Sequence, residues 1–317
     1  MSWAKWGGGS AASANPLSLL IFHRVLPHPD PLNPYEPDAA HFDQMLRWLR
    51  GYTVLPLEQA IRRLREGSLP AGALSITFDD GYADNHDVAL PILRRHGMSA
   101  TFFVSSAYLD GGRMWSDTLV EAVRRCSADV LDLDDLLLGR HRLDSPAARR
   151  HAARLLLTRL KYMEPGARDR CAQQVARAAR AHLPDDLMLS RAQLRAMHGA
   201  GMTIGSHTRT HPILTTVPDD VARDEIVASR DDLEAVIDAP VTLFAYPNGR
   251  PRTDYHPRHC EMVRRAGYSA ALTTASGVSR TGADLYQLPR FTPWDRTALR
   301  FRLRMLLNKR QPTEVAL

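Results

Sequence analysis

Short apolar runs alternate with longer amphipathic stretches along this chain, and the alternation predicts its fold. Strands are expected at residues 17–22 (LSLLIF), 53–55 (TVL), 73–78 (ALSITF), 100–104 (ATFFV), 202–205 (MTIG), 241–246 (VTLFAY) and 268–274 (YSAALTT). Several are continuous apolar runs, the pattern of strands covered on both faces of a parallel sheet. Helices are expected from Asp38, an N-cap residue, to Gly51, over 57–66 before Gly67, over 84–96 before Gly97, and over 254–266 before Gly267. A glycine just past the last helical residue ends a helix because it adopts the left-handed conformation without a Cβ clash. Strand then helix, repeated about seven times, predicts an α/β fold with right-handed crossovers. We read it as a distorted (β/α)7 barrel in preference to an open, doubly wound sheet.

The alternation fails between about 110 and 200, where the chain looks helical and is rich in alanine and arginine. Ser145-Pro146 reads as an N-cap followed by proline at the first helical position, and Ser190 with Gln193 as a capping box on a helix ending at Gly199. A helical insertion between the fourth and fifth barrel strands is therefore expected, serving as a lid or a partner surface. The barrel itself should span 17–293. Residues 294–317 read as an amphipathic helical tail, and the Gly/Ser/Ala-rich residues 1–16 as a disordered N-terminal segment.

Composition narrows the function classes. With 44% hydrophobic and 24% charged residues in 317, the chain is an ordinary globular protein with enough apolar surface for a large core. The net charge of +6 comes almost wholly from arginine, since Lys5, Lys161 and Lys309 are the only lysines. Many arginines lie among alanines, as in ARRHAARLLLTRLK, and read as solvated helix faces. No basic run is interleaved with aromatic residues, so no nucleic-acid partner is expected. Attraction to anionic polymers or lipid headgroups is the weaker alternative. Cys126, Cys171 and Cys260 are far apart and too few for a disulfide scaffold. No apolar run is long enough to span a membrane, and LSLLIF is too short for a signal-peptide core, so a cytoplasmic location is expected.

The residues just past the apolar runs carry the chemistry. His23 follows the first strand, Asp79-Asp80-Gly81 the third, SHTRTH with His207 and His211 the fifth, YPNG the sixth, and Thr273 and Thr274 end the seventh. In a β/α barrel the loops at the carboxyl ends of the strands meet at one mouth. His207 and His211 are spaced i, i+4, which on a helical turn would put both imidazoles on one side; with a carboxylate they suit a metal site that keeps open positions. A dication would also account for two adjacent carboxylates, one ligating it and the other free to take a proton from water. A solvated turn is the plainer reading of Asp-Asp-Gly, but the core-like SITF before it delivers that turn to a crowded mouth.

Together these motifs resemble the polysaccharide deacetylase, or NodB-homology, family (carbohydrate esterase family four). TFDDG is similar to its first motif, HTRTH to its His-(Ser/Thr)-x-x-His motif, and FAYPNG to its third. The resemblance implies a distorted β/α barrel that hydrolyses N-acetyl groups of amino sugars with a divalent metal, most often zinc. By motif, Asp79 would be the general base, and Asp80, His207 and His211 the metal ligands. The backbone N–H of Asn248 would help hold the oxyanion, and Thr208 would support the ligand loop. The implied partner is an N-acetylated oligo- or polysaccharide, such as an exopolysaccharide, or a lipid-linked glycan. Two departures stand out. Many members have an arginine in the third motif that orients the base; here Ala245 stands there, and Arg290 in QLPRF is the substitute we expect. Many also have a late histidine as general acid, yet no histidine here follows the seventh strand. His23 in LLIFHRV looks like the early acid of the family's circularly permuted branch. Trp115, Tyr246 and Trp294 are candidates for stacking on sugar faces, with core or rim packing the plainer reading of each. The alternatives are a hydrolase of another amide, a catalytically silent glycan-binding module and, more distantly, a two-histidine, one-carboxylate iron oxygenase.

Overall fold

The computed structural model describes residues 15–311 and 313–316; the expected disordered N-terminal segment falls almost wholly on residues 1–14, outside the described residues. The strands are β1 (Ser18–Phe22), β2 (Thr53–Val54), β3 (Ala73–Phe78), β4 (Thr101–Val104), β5 (Val130–Leu133), β6 (Gly139–Arg142), β7 (Thr203–Ser206), β8 (Leu243–Ala245) and β9 (Ala270–Leu272). Six of them form a parallel sheet in the order β1-β3-β4-β7-β8-β9, with β2 paired to the start of β3. Every side chain of β1, β3 and β4 is buried, as the continuous apolar runs predict. Phe22 pairs in register with Phe78, and Phe78 with Phe102. Their rings stack at 5.3 and 4.8 Å, and Phe42 packs edge-on against Phe22 and Phe78. A slip of one residue would turn these rings to the other face, so the stack fixes which residue leaves each strand first.

Residues 288–291 close the sheet. Leu288 bridges to Leu272 beyond one edge strand and Phe291 to Leu20 on the other, with the Leu288 N–H donating to the Ala271 carbonyl at 2.9 Å and the Phe291 N–H to Leu19 at 3.1 Å. The expected barrel is therefore present as a curled sheet joined by a short segment around Pro289, whose missing N–H keeps it from being a regular strand.

The helices are α1 (Ala39–Trp48), α2 (Leu57–Glu66), α3 (Leu90–Arg95), α4 (Trp115–Arg125), α5 (Pro146–Leu160), α6 (Pro165–Ala178), α7 (Arg191–Gly199), α8 (Asp219–Ile237), α9 (Pro257–Arg265) and α10 (Ala298–Asn308). The expected caps form: Asp38 accepts from the His41 N–H, Ser145 from Ala148, and Ser190 with Gln193 makes a reciprocal box. Elsewhere the structure departs from the expectation. Residues 84–96 open with a wider π-helical turn, Asn85–Ala89, because Asp84 and Asn85 turn inward to bond the loop after β1. The insertion is not wholly helical, since β5 and β6 form an antiparallel hairpin within it. Val130–Leu133 alternates exposed and buried, and Leu131 and Leu133 enter a separate core with Leu119, Val123, Leu156, Leu160 and Val175 of α4, α5 and α6. A period of two selects a strand there despite the helical composition around it.

Candidate active site

Strand register builds the site. Because Phe22 faces Phe78, His23 and Asp79 leave the sheet side by side, the Asp79 N–H bonding the Phe22 carbonyl at 2.9 Å. His207 follows in the same row, its N–H on the Val104 carbonyl at 3.1 Å. Successive side chains on a strand would point apart. Here Asp80 has φ 77° and Gly81 φ 89°, so the backbone reverses and returns the Asp80 carboxylate to the mouth beside Asp79. A Cβ on Gly81 would lie 2.8 Å from Val104 Cγ1. The turn thus needs glycine on two counts.

His207 and His211 converge, but not on the helical turn their spacing suggests. They sit on a loop in which Thr208 and His211 both have left-handed backbones, φ 62° and 57°. Glu225 of α8 clamps that loop, accepting from the Arg209 and Thr210 N–H groups at 2.8 and 2.7 Å, and Thr208 Oγ1 accepts from the His211 N–H at 3.1 Å. Non-glycine residues in this conformation are costly and collect where geometry is functional.

Asp80 Oδ1 lies 3.4 Å from His207 Nε2 and 3.3 Å from His211 Nε2. Charge-assisted N–H···O bonds run at about 2.7–2.9 Å. The observed separations instead match the edge of a tetrahedron with bonds of about 2.0–2.1 Å, which is about 3.3–3.4 Å. His207 Nδ1 lies 2.7 Å from the Ala245 carbonyl, which fixes the tautomer and leaves Nε2 free to ligate. Burial pulls the His211 pKa down to about 4 against the pull of Asp80, so its imidazole is neutral, the form that binds metals. Among the described residues, Asp80, His207 and His211 are the group able to hold a metal ion, with ligand atoms all within 4.8 Å of one another. Their spacing and chemistry fit a divalent cation.

Asp79 is built differently. Arg290, wholly buried, donates from its two terminal nitrogens to Oδ1 and Oδ2 at 2.6 and 2.7 Å. Its Nε donates to the Thr273 carbonyl at 3.0 Å and one terminal N–H to Thr77 Oγ1 at 3.1 Å. Burial alone would raise the Asp79 pKa; Arg290 first, then His207 and His23, hold it below the ordinary carboxylate value. It is ionised at neutral pH.

His23 is held by residues that the motifs did not single out. Asn85 donates to its carbonyl at 2.9 Å, Asp84 binds Arg24 Nε at 2.7 Å and the Val25 N–H at 3.2 Å, and Glu36 accepts from the Arg24 N–H at 3.3 Å. The only signal was a polar run, YADN, directly after Asp-Asp-Gly. Burial disfavours the His23 imidazolium, but Asp80, Glu36 and Asp79 outweigh it and raise the pKa.

His23, Asp79, Asp80, His207 and His211 line a cleft of about 430 Å3 that also contains Asn248. The insertion supplies its outer wall, through Met114, Trp115 and Ser116 at the start of α4 and Leu157, Thr158 and Lys161 at the end of α5. Asn248 has φ 57°, and its carbonyl accepts from Thr274 Oγ1 at 2.6 Å. Trp115 faces the cleft with the Arg168 guanidinium 4.7 Å from its ring. Tyr246 does not: it is fully buried and stacked on Tyr255 at 4.1 Å, a core residue out of reach of a sugar. Trp294 is exposed in a neighbouring groove.

Comparison with known proteins agrees with this geometry. YxkH of Bacillus subtilis (strain 168), a relative carrying the provisional name of polysaccharide deacetylase, is 21% identical over 277 residues, which are 86% of this chain and 70% of YxkH. The Streptococcus pyogenes deacetylase PplD, solved in complex with acetate, superposes with a TM-score of 0.61 at 21% identity, covering 95% of this chain and 100% of PplD. IcaB from Ammonifex degensii gives 0.59 at 20% identity over 92% of this chain and 98% of its own. The BpsB deacetylase domain from Bordetella bronchiseptica gives 0.55 at 15% over 90% and 98%. These structures share the fold. A sequence profile of the polysaccharide deacetylases matches residues 66–132 and 168–271, more than half of the chain, with a gap that falls inside the insertion. The chain belongs to the polysaccharide deacetylase family.

Proposed function

We propose that this chain removes N-acetyl groups from an amino-sugar glycan or glycan precursor, with a divalent cation, zinc, held by Asp80, His207 and His211. The observation that carries the reading is the 3.3–3.4 Å spacing of those ligand atoms beside an ionised Asp79. When bound, such a cation supplies Lewis acidity and lowers the pKa of its water toward about 7. Asp79 accepts the proton of the attacking water, and Arg290 is a positioning residue that keeps both carboxylate oxygens in one orientation. The Asn248 N–H donates to the tetrahedral oxyanion, a contact typically worth about 3–4 kcal/mol. His23 protonates the departing amine nitrogen, so that acetate and a free amino sugar leave. With the general acid just past the first strand, the same reading puts the chain in the circularly permuted branch. Trp115 and Lys161 form the glycan-facing wall, which gives the insertion within the 17–293 barrel a role in substrate contact.

A cytoplasmic location with a glycan precursor as substrate belongs to the same proposal; the three cysteines are free, Cys126 and Cys260 buried, as a reducing compartment allows. No described helix is long and apolar enough to cross a membrane. The test is acetate release from a panel of N-acetylated oligosaccharides, coupled to metal analysis. Release should stop with chelator and return with zinc; release indifferent to chelation would overturn the metal assignment.

A further inference from the structure

The last helix has two apolar faces. Phe301 and Met305 are buried against the body of the protein, with Phe301 packed on Trp48 of α1 at 5.7 Å. The opposite side carries Leu299, Leu303, Leu306 and Leu307, 78%, 53%, 58% and 51% exposed. Their spacing, i, i+4, i+7 and i+8, makes one continuous stripe. Trp294, just before the helix, is 55% exposed. Single exposed leucines need no explanation, but a stripe of them does. Nothing among the described residues covers it.

The surroundings of the stripe indicate what does. From Trp294 to Gln311 the chain has Arg296, Arg300, Arg302, Arg304, Lys309 and Arg310 against one acid, Asp295, which is buried and bonded to Arg304 at 2.6 Å. Arg300 and Arg302 are exposed and flank the leucines on either side. An apolar stripe framed by arginine, with a tryptophan at its end, is the pattern of a helix lying in the headgroup layer of an anionic bilayer. A second copy of this chain fits worse, because a two-fold contact would set the same cations against each other.

We propose that α10 docks on an anionic lipid surface and presents the catalytic cleft to glycans carried on lipid. A groove of about 510 Å3 beside α10 is lined by Trp294, Leu303, Leu307 and Thr274, and Thr274 also lines the cleft, so the docking face adjoins the mouth. The docking stands on α10 alone; the choice of substrate rests on the deacetylase reading.

The test is co-sedimentation of the full chain with vesicles, in chelator so that catalysis is silent. Phosphatidylcholine vesicles are compared with phosphatidylcholine containing phosphatidylglycerol. Binding should need the anionic lipid and weaken with salt. The pair Leu299→Asp/Leu306→Asp, and separately Arg302→Glu/Arg310→Glu, should each weaken it by roughly tenfold or more while thermal melts stay native-like. Absence of wild-type binding, equal binding to both vesicles, or binding unchanged in both variants overturns the proposal. Lipid-free self-association that Leu299→Asp/Leu306→Asp abolishes would assign the face to a second copy and overturn it too. Acetate release from a soluble oligosaccharide should persist in Leu299→Asp/Leu306→Asp. Wild-type vesicle binding without any acetate release would sink the deacetylase reading and leave the docking intact.

Discussion

Arg290 gives two N–H groups to the two carboxylate oxygens of Asp79, at 2.6 and 2.7 Å, across 211 residues of chain. A buried ion pair is tolerated only when both partners are well bonded, and Arg290 completes its set on Thr77 and Thr273. Arg290→Lys keeps the charge and loses the fork. We expect it to bind zinc like the parent but to release acetate roughly 100-fold more slowly, since small misplacements near the reacting atoms cost about that much. Wild-type turnover in the lysine variant would remove Arg290 from its positioning role. Arg290→Ala strands a buried carboxylate and should cost about 3–5 kcal/mol in a denaturant titration.

Metal binding and proton transfer should separate cleanly. A ligand that binds only the folded state raises its melting temperature, by about 2.7 kcal/mol of stability at 100 times Kd. Zinc should therefore raise the melting temperature of the wild type and of Asp79→Asn, which keeps the proposed ligands but loses the proposed base. It should not raise that of His207→Ala or Asp80→Ala. Loss of the zinc shift in Asp79→Asn would mean that Asp79 itself is a ligand and that the two aspartates have exchanged parts.

The His23 assignment predicts a pH profile. General acid catalysis contributes on the order of 10²–10⁴-fold, so His23→Gln should slow acetate release within that range while leaving zinc content unchanged. In the metal-free cleft Asp80, Glu36 and Asp79 raise the His23 pKa against burial, and the imidazolium gives up its proton as pH climbs. The wild type should show an alkaline fall in rate that the glutamine variant lacks. A fall of the same shape in both would assign it to another group.

The residues of the mouth were legible in the sequence because parallel strands buried on both faces read as apolar runs, and the residues just past each run must emerge at one end. His23, Asp79, Asp80, His207 and Asn248 were found that way. How they meet was less visible. The Arg290 contact depends on closure of the sheet by residues 288–291, and Pro289 gives that segment no strand signature. The convergence of His207 and His211 depends on left-handed backbones at Thr208 and His211, which neither residue type advertises. The hairpin of β5 and β6 is hidden in an alanine-arginine stretch because it serves a second core, and the choice between core and sugar contact for Tyr246 is made by its burial on Tyr255, a tertiary fact. Asp84 and Asn85, which with Glu36 hold the His23 loop, bond to it across some 60 residues that no local pattern connects.

One further carboxyl ties the insertion to the site and should show itself in stability. Asp117 of α4 accepts from the Tyr82 hydroxyl at 2.9 Å through Oδ1, while Oδ2 is buried without a hydrogen-bond partner among the described residues. Burial, with the Asp80 charge adding to it, pushes the Asp117 pKa from 3.8 to about 7, although Arg24 and Tyr82 pull the other way. Between those two values the folded chain keeps a proton that the unfolded chain has released. Stability from this group is therefore full below pH 3.8, declines as pH rises, and is lost above about 7. Asp117→Asn stays neutral throughout and keeps an acceptor for Tyr82. Relative to the wild type it should gain on the order of 4 kcal/mol between pH 4 and pH 7 and no more beyond. Urea titrations of both proteins in chelator at a series of pH values measure this, and a pH-independent difference would show that Asp117 is already ionised in the folded state.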